Sequence, residues 1–264
     1  MNARLHIPAL IALALALAPV LSGCHHPAAQ TDDSDEAALR RDGYFRAPQI
    51  VGVEQAGGGA YVVSGVATPN GRVRFAYGGD RAIGVTADAK GRFRAPLPAG
   101  PVGGLYDVST DDSGRLLHAE GRLFVPEGHP EKSVLIRAGA PSAPLLDKSA
   151  PIAVVDYDAA GAIAVSGHIA TRDSIDVLID GDIRAQVKPA ADGAYSALSQ
   201  IPPPTKTPVR VVLAAQADGK SATRTISVSL PDATPGDHMS LIDGGGWRVD
   251  ATLPGGGVQT TLVF

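Results

Sequence analysis

Apolar and polar residues alternate with a period of two through most of the chain beyond Ile50. That alternation marks strands with one face buried. It predicts strands near residues 50–53, 61–66, 72–77, 82–86, 92–95, 105–109 and 116–125. A second series follows near 152–156, 163–169, 174–179, 183–188, 194–197, 209–214 and 222–230. Ser133 to Arg137 adds one more apolar strand between the two series, and Trp247–Leu253 and Val258–Phe264 alternate around a Gly-rich turn as a terminal hairpin. Asp180-Gly181 and Asp218-Gly219 carry hairpin-turn chemistry, since glycine accepts positive φ without steric cost. No stretch beyond residue 46 holds a helical period. Two segments break the pattern: an almost unbroken Leu/Ala run from Ile7 to Val20, and a polar run from His25 to Asp42 with no apolar face.

The two strand series are copies of one another. Aligning Val63-Ser64-Gly65 with Val165-Ser166-Gly167 sets an offset of 167 − 65 = 102 residues. Without a gap, Val73, Phe75 and Tyr77 then fall on Ile175, Val177 and Ile179, Asp80 on Asp182, Val85 on Val187, Gly91 on Gly193 and Phe93 on Tyr195. Small insertions bring Tyr106 and Val108 onto Val209 and Val211, and Gly114 and Pro126 onto Gly219 and Pro231. Turn signals every 8 to 12 residues within each copy are the spacing of a sandwich of short strands. The expected fold is all-β: two tandem sandwiches plus a C-terminal β-hairpin. Residues 47–138 form sandwich 1, 139–150 a Pro/Ala-rich linker, 151–232 sandwich 2, and 233–264 a loop and the hairpin. The linker leaves the sandwiches as separate units. A lone hairpin is marginal, so it should dock on a sandwich, with Trp247, the only tryptophan, as anchor.

Composition narrows the function classes. The formal charge is −4, or −5 once Arg4 is removed with residues 1–23, and no basic stripe stands ready to neutralise phosphates, which excludes nucleic acid as the expected partner. The single cysteine, Cys24, would be an odd thiol in an exported protein. Arg4 followed by the Ile7–Val20 run has the layout of a signal peptide, and the run is shorter than the ~20 apolar residues of a spanning helix. Residues 24–46 read as a polar, disordered tether.

Leu21-Ser22-Gly23-Cys24 resembles the lipobox of bacterial lipoproteins at all four positions. The resemblance implies cleavage between Gly23 and Cys24, a diacylglyceryl group on the Cys24 sulfur, and acylation of its new amino terminus. Two or more acyl chains hold a protein on a bilayer durably, at ~0.8 kcal/mol per buried CH₂. By that family's sorting convention, Asp after the Cys favours the inner membrane, so His25 implies a lipid-anchored position at the outer membrane.

Val63-Ser64-Gly65-Val66-Ala67-Thr68-Pro69-Asn70-Gly71-Arg72-Val73-Arg74-Phe75, then Thr86-Ala87-Asp88-Ala89-Lys90-Gly91-Arg92-Phe93, resembles the bacterial immunoglobulin-like modules of adhesins and invasins. The second copy departs from their pattern at Thr171-Arg172 and lacks the Thr-Ala-Asp triplet. Such modules serve as spacers, stalks and glycan binders, so the resemblance speaks to fold rather than activity.

Candidate chemistry beyond Cys24 is sparse. Ala214 to Ser221 fits a loose phosphate-loop pattern, but the residues after it alternate like a strand where that chemistry needs a helix. No G-x-S-x-G, S-x-x-K or H-E-x-x-H occurs, and no catalytic residue, cofactor or metal is assigned. His25-His26 and the scattered His118, His129, His168 and His238 have no metal-site spacing. Asp111-Asp112 and Asp156/Asp158 could ligate calcium, but read better as solvated turns. The phenylalanine-terminated hairpin is similar to the end signal of outer-membrane barrels, whose strands are longer than these. The expectation is a non-enzymatic, lipid-anchored spacer or protein-interaction module whose partner is an unknown envelope protein or glycan. The alternative, a carbohydrate- or peptidoglycan-binding module, would stack sugars on aromatics; Trp247, Tyr77 and Tyr106 are its candidates, with Tyr44, Phe45 and Tyr61 behind them. A hydrolase with an unrecognised site is more remote.

Overall fold

The sandwich layout follows from where each alternating strand sends its apolar face. The structure is a computed structural model that describes residues 45–264. The signal peptide expected at 1–23, Cys24, His25-His26, most of the tether and Tyr44 lie outside the described residues.

In the first copy, β1 (Gln49–Gln55), β2 (Tyr61–Val66), β3 (Arg72–Tyr77), β4 (Arg81–Thr86), β5 (Arg92–Leu97), β6 (Gly103–Asp112), β7 (Arg115–His118) and β8 (Arg122–Pro126) make two antiparallel sheets. One has the order β1-β2-β5; the other runs β8-β6-β3-β4, with β7 also on β6. Between them lie Val53, Tyr61, Val63, Val73, Phe75, Phe93, Leu97, Tyr106, Leu123 and Val125. After β8 the second sheet gains β9 (Val134–Ile136) and β10 (Ala143–Pro144) in the order β10-β9-β8. Residues 139–150, expected as linker alone, therefore contribute an edge strand.

The second copy repeats the plan. Its strands are β11 (Val154–Asp158), β12 (Ala162–His168), β13 (Ile175–Ile179), β14 (Asp182–Val187), β15 (Ala194–Gln200), β16 (Val209–Ala217) and β17 (Lys220–Val228). The order β15-β12-β11 mirrors β5-β2-β1, and β14-β13-β16-β17 mirrors β4-β3-β6-β8. The chain is an all-β protein of two tandem immunoglobulin-like sandwiches. The shared glycine explains one fixed point of the repeat. A Cβ at Gly65 would lie 2.2 Å from the Gln49 carbonyl oxygen and 2.4 Å from the Phe93 ring. One at Gly167 would lie 2.1 Å from the Pro151 carbonyl oxygen. In both copies the backbone passes too close for any side chain, from β1 itself at Gln49 and from Pro151, just ahead of β11, in the second copy. Asp218-Gly219 turns with φ of 51° and 69°, and β17 follows where a phosphate loop would need a helix.

β18 (His238–Leu241), β19 (Trp247–Thr252) and β20 (Val258–Val263) complete the fold. β20 pairs with β11, from Val154↔Val263 to Asp158↔Gln259, giving a six-stranded sheet β15-β12-β11-β20-β19-β18. One face of that sheet closes sandwich 2 over Val155, Tyr157, Val177, Leu213, Ile226 and Leu262. The other face meets sandwich 1. Leu105, Phe124, Val134 and Ile136 pack with Ala153, Val154, Trp247, Val249, Ala251 and Val263 in a third core. The two sandwiches are thus not separate units joined by a linker, because the outward faces of their long sheets are themselves apolar. Residues 45–264 form one compact unit. At the rim of this core, Arg122 of β8 grips Asp237 with two charge-assisted bonds of 2.8 and 2.6 Å, and the Lys132 ammonium donates to the Phe264 carbonyl at 2.9 Å.

Candidate functional site

The aromatic candidates do not converge. Trp247 is 7% exposed, inside the core between the sandwiches, with the His129 ring 5.3 Å from its own. Tyr106 is 1% exposed; its hydroxyl donates to the Pro98 carbonyl, and burial pushes its phenol pKa well up. Tyr61 is buried with its hydroxyl on the Pro126 carbonyl. Tyr77 is half-buried, 5.6 Å from the Tyr106 ring and covered by the Arg81 guanidinium at 5.0 Å. Phe45 lies under the Arg115 guanidinium at 4.6 Å. Sugar stacking needs ring faces open to solvent, and Trp247 and Tyr106 offer none.

Of the acidic candidates, Asp156 and Asp112 do not lie on solvated turns. Asp156, expected as the last residue of a strand running into a solvated turn, is buried within β11. Alternation along Val154–Asp158 puts it on the face shared with Val154, and the segment around Ser142 closes over it. Its carboxylate accepts from the Ser142 amide at 2.6 Å, the Ser142 hydroxyl at 2.7 Å, the Thr261 hydroxyl at 2.6 Å and the Gln259 amide at 3.0 Å. Burial pushes its pKa up, and the four donors oppose that shift. Asp158, by contrast, caps its turn by accepting from the Ala160 and Ala162 amides. Asp111 accepts from the Gly114 amide, while Asp112 is buried and accepts from the Thr68 hydroxyl at 2.8 Å. Among the described residues no group of three or more His, Cys, Asp or Glu is arranged to hold a metal. His118 and His129 contact Asp107 and Glu131, and His238 contacts the Thr234 carbonyl. His168 is neither on the surface nor hydrogen-bonded, the two placements usual for a lone histidine on a strand. It is buried with neither ring nitrogen hydrogen-bonded, its Nε2 3.7 Å from the Asp192 carboxylate.

The feature that strand periodicity did not disclose is a cleft of about 540 Å³ at the open mouth of sandwich 2. Arg224, Thr225, Ile226 and Ser227 wall it from β17, and Ser240 to Gly245 wall it from β18 and the loop after it. Arg248 and Leu262 reach in from the inner face of the six-stranded sheet. Arg248 is committed: it holds the Asp250 carboxylate at 3.0 Å, the Ser229 hydroxyl at 2.7 Å and the Leu230 carbonyl at 3.3 Å. Arg224 is not. Its guanidinium lies 4.1 Å from the centre of the Phe264 ring, is partly desolvated, which pulls its pKa down, and has no carboxylate partner among the described residues. An inward arginine in an otherwise alternating strand, KSATRTISV, was the sequence signal for the site.

No family model matches the chain, and no curated protein matches it. Among solved structures, a biofilm-associated protein BSP domain aligns over 71% of this chain and 30% of its own length, with 17% identity and a TM-score of 0.25. The chain therefore spans under a third of that structure. A central fibronectin-III array of RIM-binding protein aligns over 78% of this chain and 79% of its own, with 11% identity and a TM-score of 0.29. The class rests on strand order and pairing: an all-β protein built from immunoglobulin-like sandwiches.

Proposed function

We propose that this is a lipid-anchored protein of the bacterial cell envelope, held at the outer membrane through Cys24, whose paired sandwiches act as a non-enzymatic spacer and protein-interaction module. The observation that carries the reading is Leu21-Ser22-Gly23-Cys24 at the end of an apolar leader. Supporting it are the polar segment 25–42 after the anchor and a third apolar core that stiffens the body it would carry. A spacer gains from stiffness, because a body with a shared core keeps its two ends at a fixed separation, whereas two beads on a linker would not. The carbohydrate reading has less support, since the rings it relies on are mostly buried.

The test is fractionation of envelopes carrying the full chain or its Cys24→Ala variant, with co-purification of partners from detergent. Cys24→Ala should move the protein from the membrane to the soluble fraction and abolish acyl-chain labelling. A variant that stays membrane-bound would refute the anchor.

A further inference from the structure

The two copies treat one sheet edge differently. In the first copy, β8 is covered: β9 pairs with it antiparallel, at Arg122↔Ile136, Leu123↔Leu135 and Phe124↔Val134. In the second copy, the equivalent strand is β17. Leu123 pairs with Tyr106 and Val228 pairs with Val209, and Tyr106 aligns with Val209, so Leu123 and Val228 are counterparts at an offset of 228 − 123 = 105. The same offset links Gly114 to Gly219 and Pro126 to Pro231. The stretch that β9 covers in copy one, 122–124, thus corresponds to 227–229 in copy two. Among the described residues no strand covers it there: β17 pairs only with β16, Ser227 and Ser229 line the cleft, and the Ser229 amide, one residue past β17, donates to the Tyr157 hydroxyl at 3.4 Å.

β17 is nine residues long, longer than any other sheet-edge strand here, and pairs with β16 in unbroken register from Val209↔Val228 to Ala217↔Lys220. It carries no proline and no bulge, two of the devices that blunt an exposed edge. A free row of amides and carbonyls is a template for an added strand, with main-chain bonds supplying affinity and side-chain sites supplying selectivity. The selective element here is charge. Arg224 and Arg210 line the cleft without carboxylate partners among the described residues, against a single acid, Asp243. Arg224 is held in place by the Phe264 ring, so its planar fork of donors is oriented before any ligand arrives.

We propose that the cleft docks an extended segment of a partner protein, which adds antiparallel to β17 at 224–228 as β9 adds to β8, and sets an Asp or Glu carboxylate on the Arg224 guanidinium. The occupant therefore needs three properties: an extended backbone, apolar residues at alternate positions, and one acid facing the sandwich interior. This deepens the interaction half of the proposed function and does not depend on the anchor.

The experiment measures fluorescence anisotropy of labelled twelve-residue peptides with the full chain in detergent. The peptides alternate Val/Ile with Thr/Ser, and a single Glu is scanned through them. A subset of Glu positions should bind, and the matching Gln peptides, or Arg224→Gln protein of unchanged thermal midpoint, should bind at least tenfold more weakly. Arg224→Lys, which keeps the charge but loses the fork, should fall between. A proline placed at the centre of the best peptide should abolish binding. The proposal is overturned if no scanned peptide binds below 1 mM, or if Arg224→Gln binds as well as the parent. It also fails if an acidic oligosaccharide binds where peptides do not. If wild type binds nothing and Arg224→Gln self-associates by light scattering, Arg224 is a guard on the edge, and the proposal again fails. Partners that co-purify with the envelope protein but are not displaced by the best peptide would leave the interaction reading standing and remove this cleft from it.

Discussion

At the scale of single residues, Asp156 ties the joint between the sandwiches to the sheet beneath it. A buried carboxylate with four donors and no cation is stable only while each donor is satisfied, because an unpaired buried polar group costs about 1–3 kcal/mol. Asp156→Ala would orphan four donors at once, and urea unfolding should show a loss of about 3 kcal/mol or more. A variant as stable as wild type would mean that water or neighbours take over those donors. The residue was partly legible in the sequence. Val154-Val155-Asp156-Tyr157-Asp158 alternates, and that placed Asp156 on a strand; what periodicity does not give is the segment lying over the strand's outer face. Without Ser142, that face looks solvated. Arg224 is the opposite case, visible in the sequence as a charge on the inward register of a strand but interpretable only beside Phe264.

At the scale of elements, the strands of both copies were readable, because each half-buried strand shows its period whatever it pairs with, but the single strand expected at 116–125 is broken between β7 and β8. β10 and β18 were not readable. They are two and four residues long, too short to display a period, and they exist because a neighbouring sheet edge offers them bonds. The segment leading into β18 also carries a lock. Burial by itself would raise the Asp237 carboxyl, but the bonds and charge of Arg122, helped by the Thr252 amide, hold it below the usual 3.8. An acid with a folded pKa below its unfolded one stabilises the fold above the unfolded value, and that contribution is lost as pH falls through the folded one. The contact should therefore hold at neutral pH and weaken below about pH 4. Asp237→Asn should lower stability at pH 7 and flatten its decline between pH 5 and 3 in denaturant titrations. An unchanged pH slope would show that other carboxylates govern acid unfolding.

At the scale of the whole molecule, the stacking of the sandwiches was the least legible feature, though its signal lay in the chain. Leu123-Phe124-Val125 is apolar at three successive positions, as is Val134-Leu135-Ile136, and a strand buried on both faces reads as such a run rather than as alternation. Leu123 and Val125 serve their own sandwich and Phe124 the shared core, whereas Leu135 serves the sandwich and Val134 and Ile136 the shared core. The Pro/Ala-rich joint between the copies suggested independence, but joint composition says nothing about the faces that meet across it. The terminal hairpin belongs to both halves, hydrogen-bonded to sandwich 2 and buried against sandwich 1.

That placement of β20 bears on time as well as stability. Its bond partner β11 lies 263 − 154 = 109 residues earlier at Val263↔Val154, whereas β16 and β17 meet across a two-residue turn. Closing the longer loop costs more entropy before any contact repays it, and distant pairings of this kind slow folding. Local hairpins should form first and the central seam last. Trp247, buried at that seam, is the only tryptophan, so its emission reports the last step. In stopped-flow refolding, far-UV ellipticity should rise before the tryptophan signal shifts. Coincident phases would mean that the seam nucleates the fold instead of sealing it.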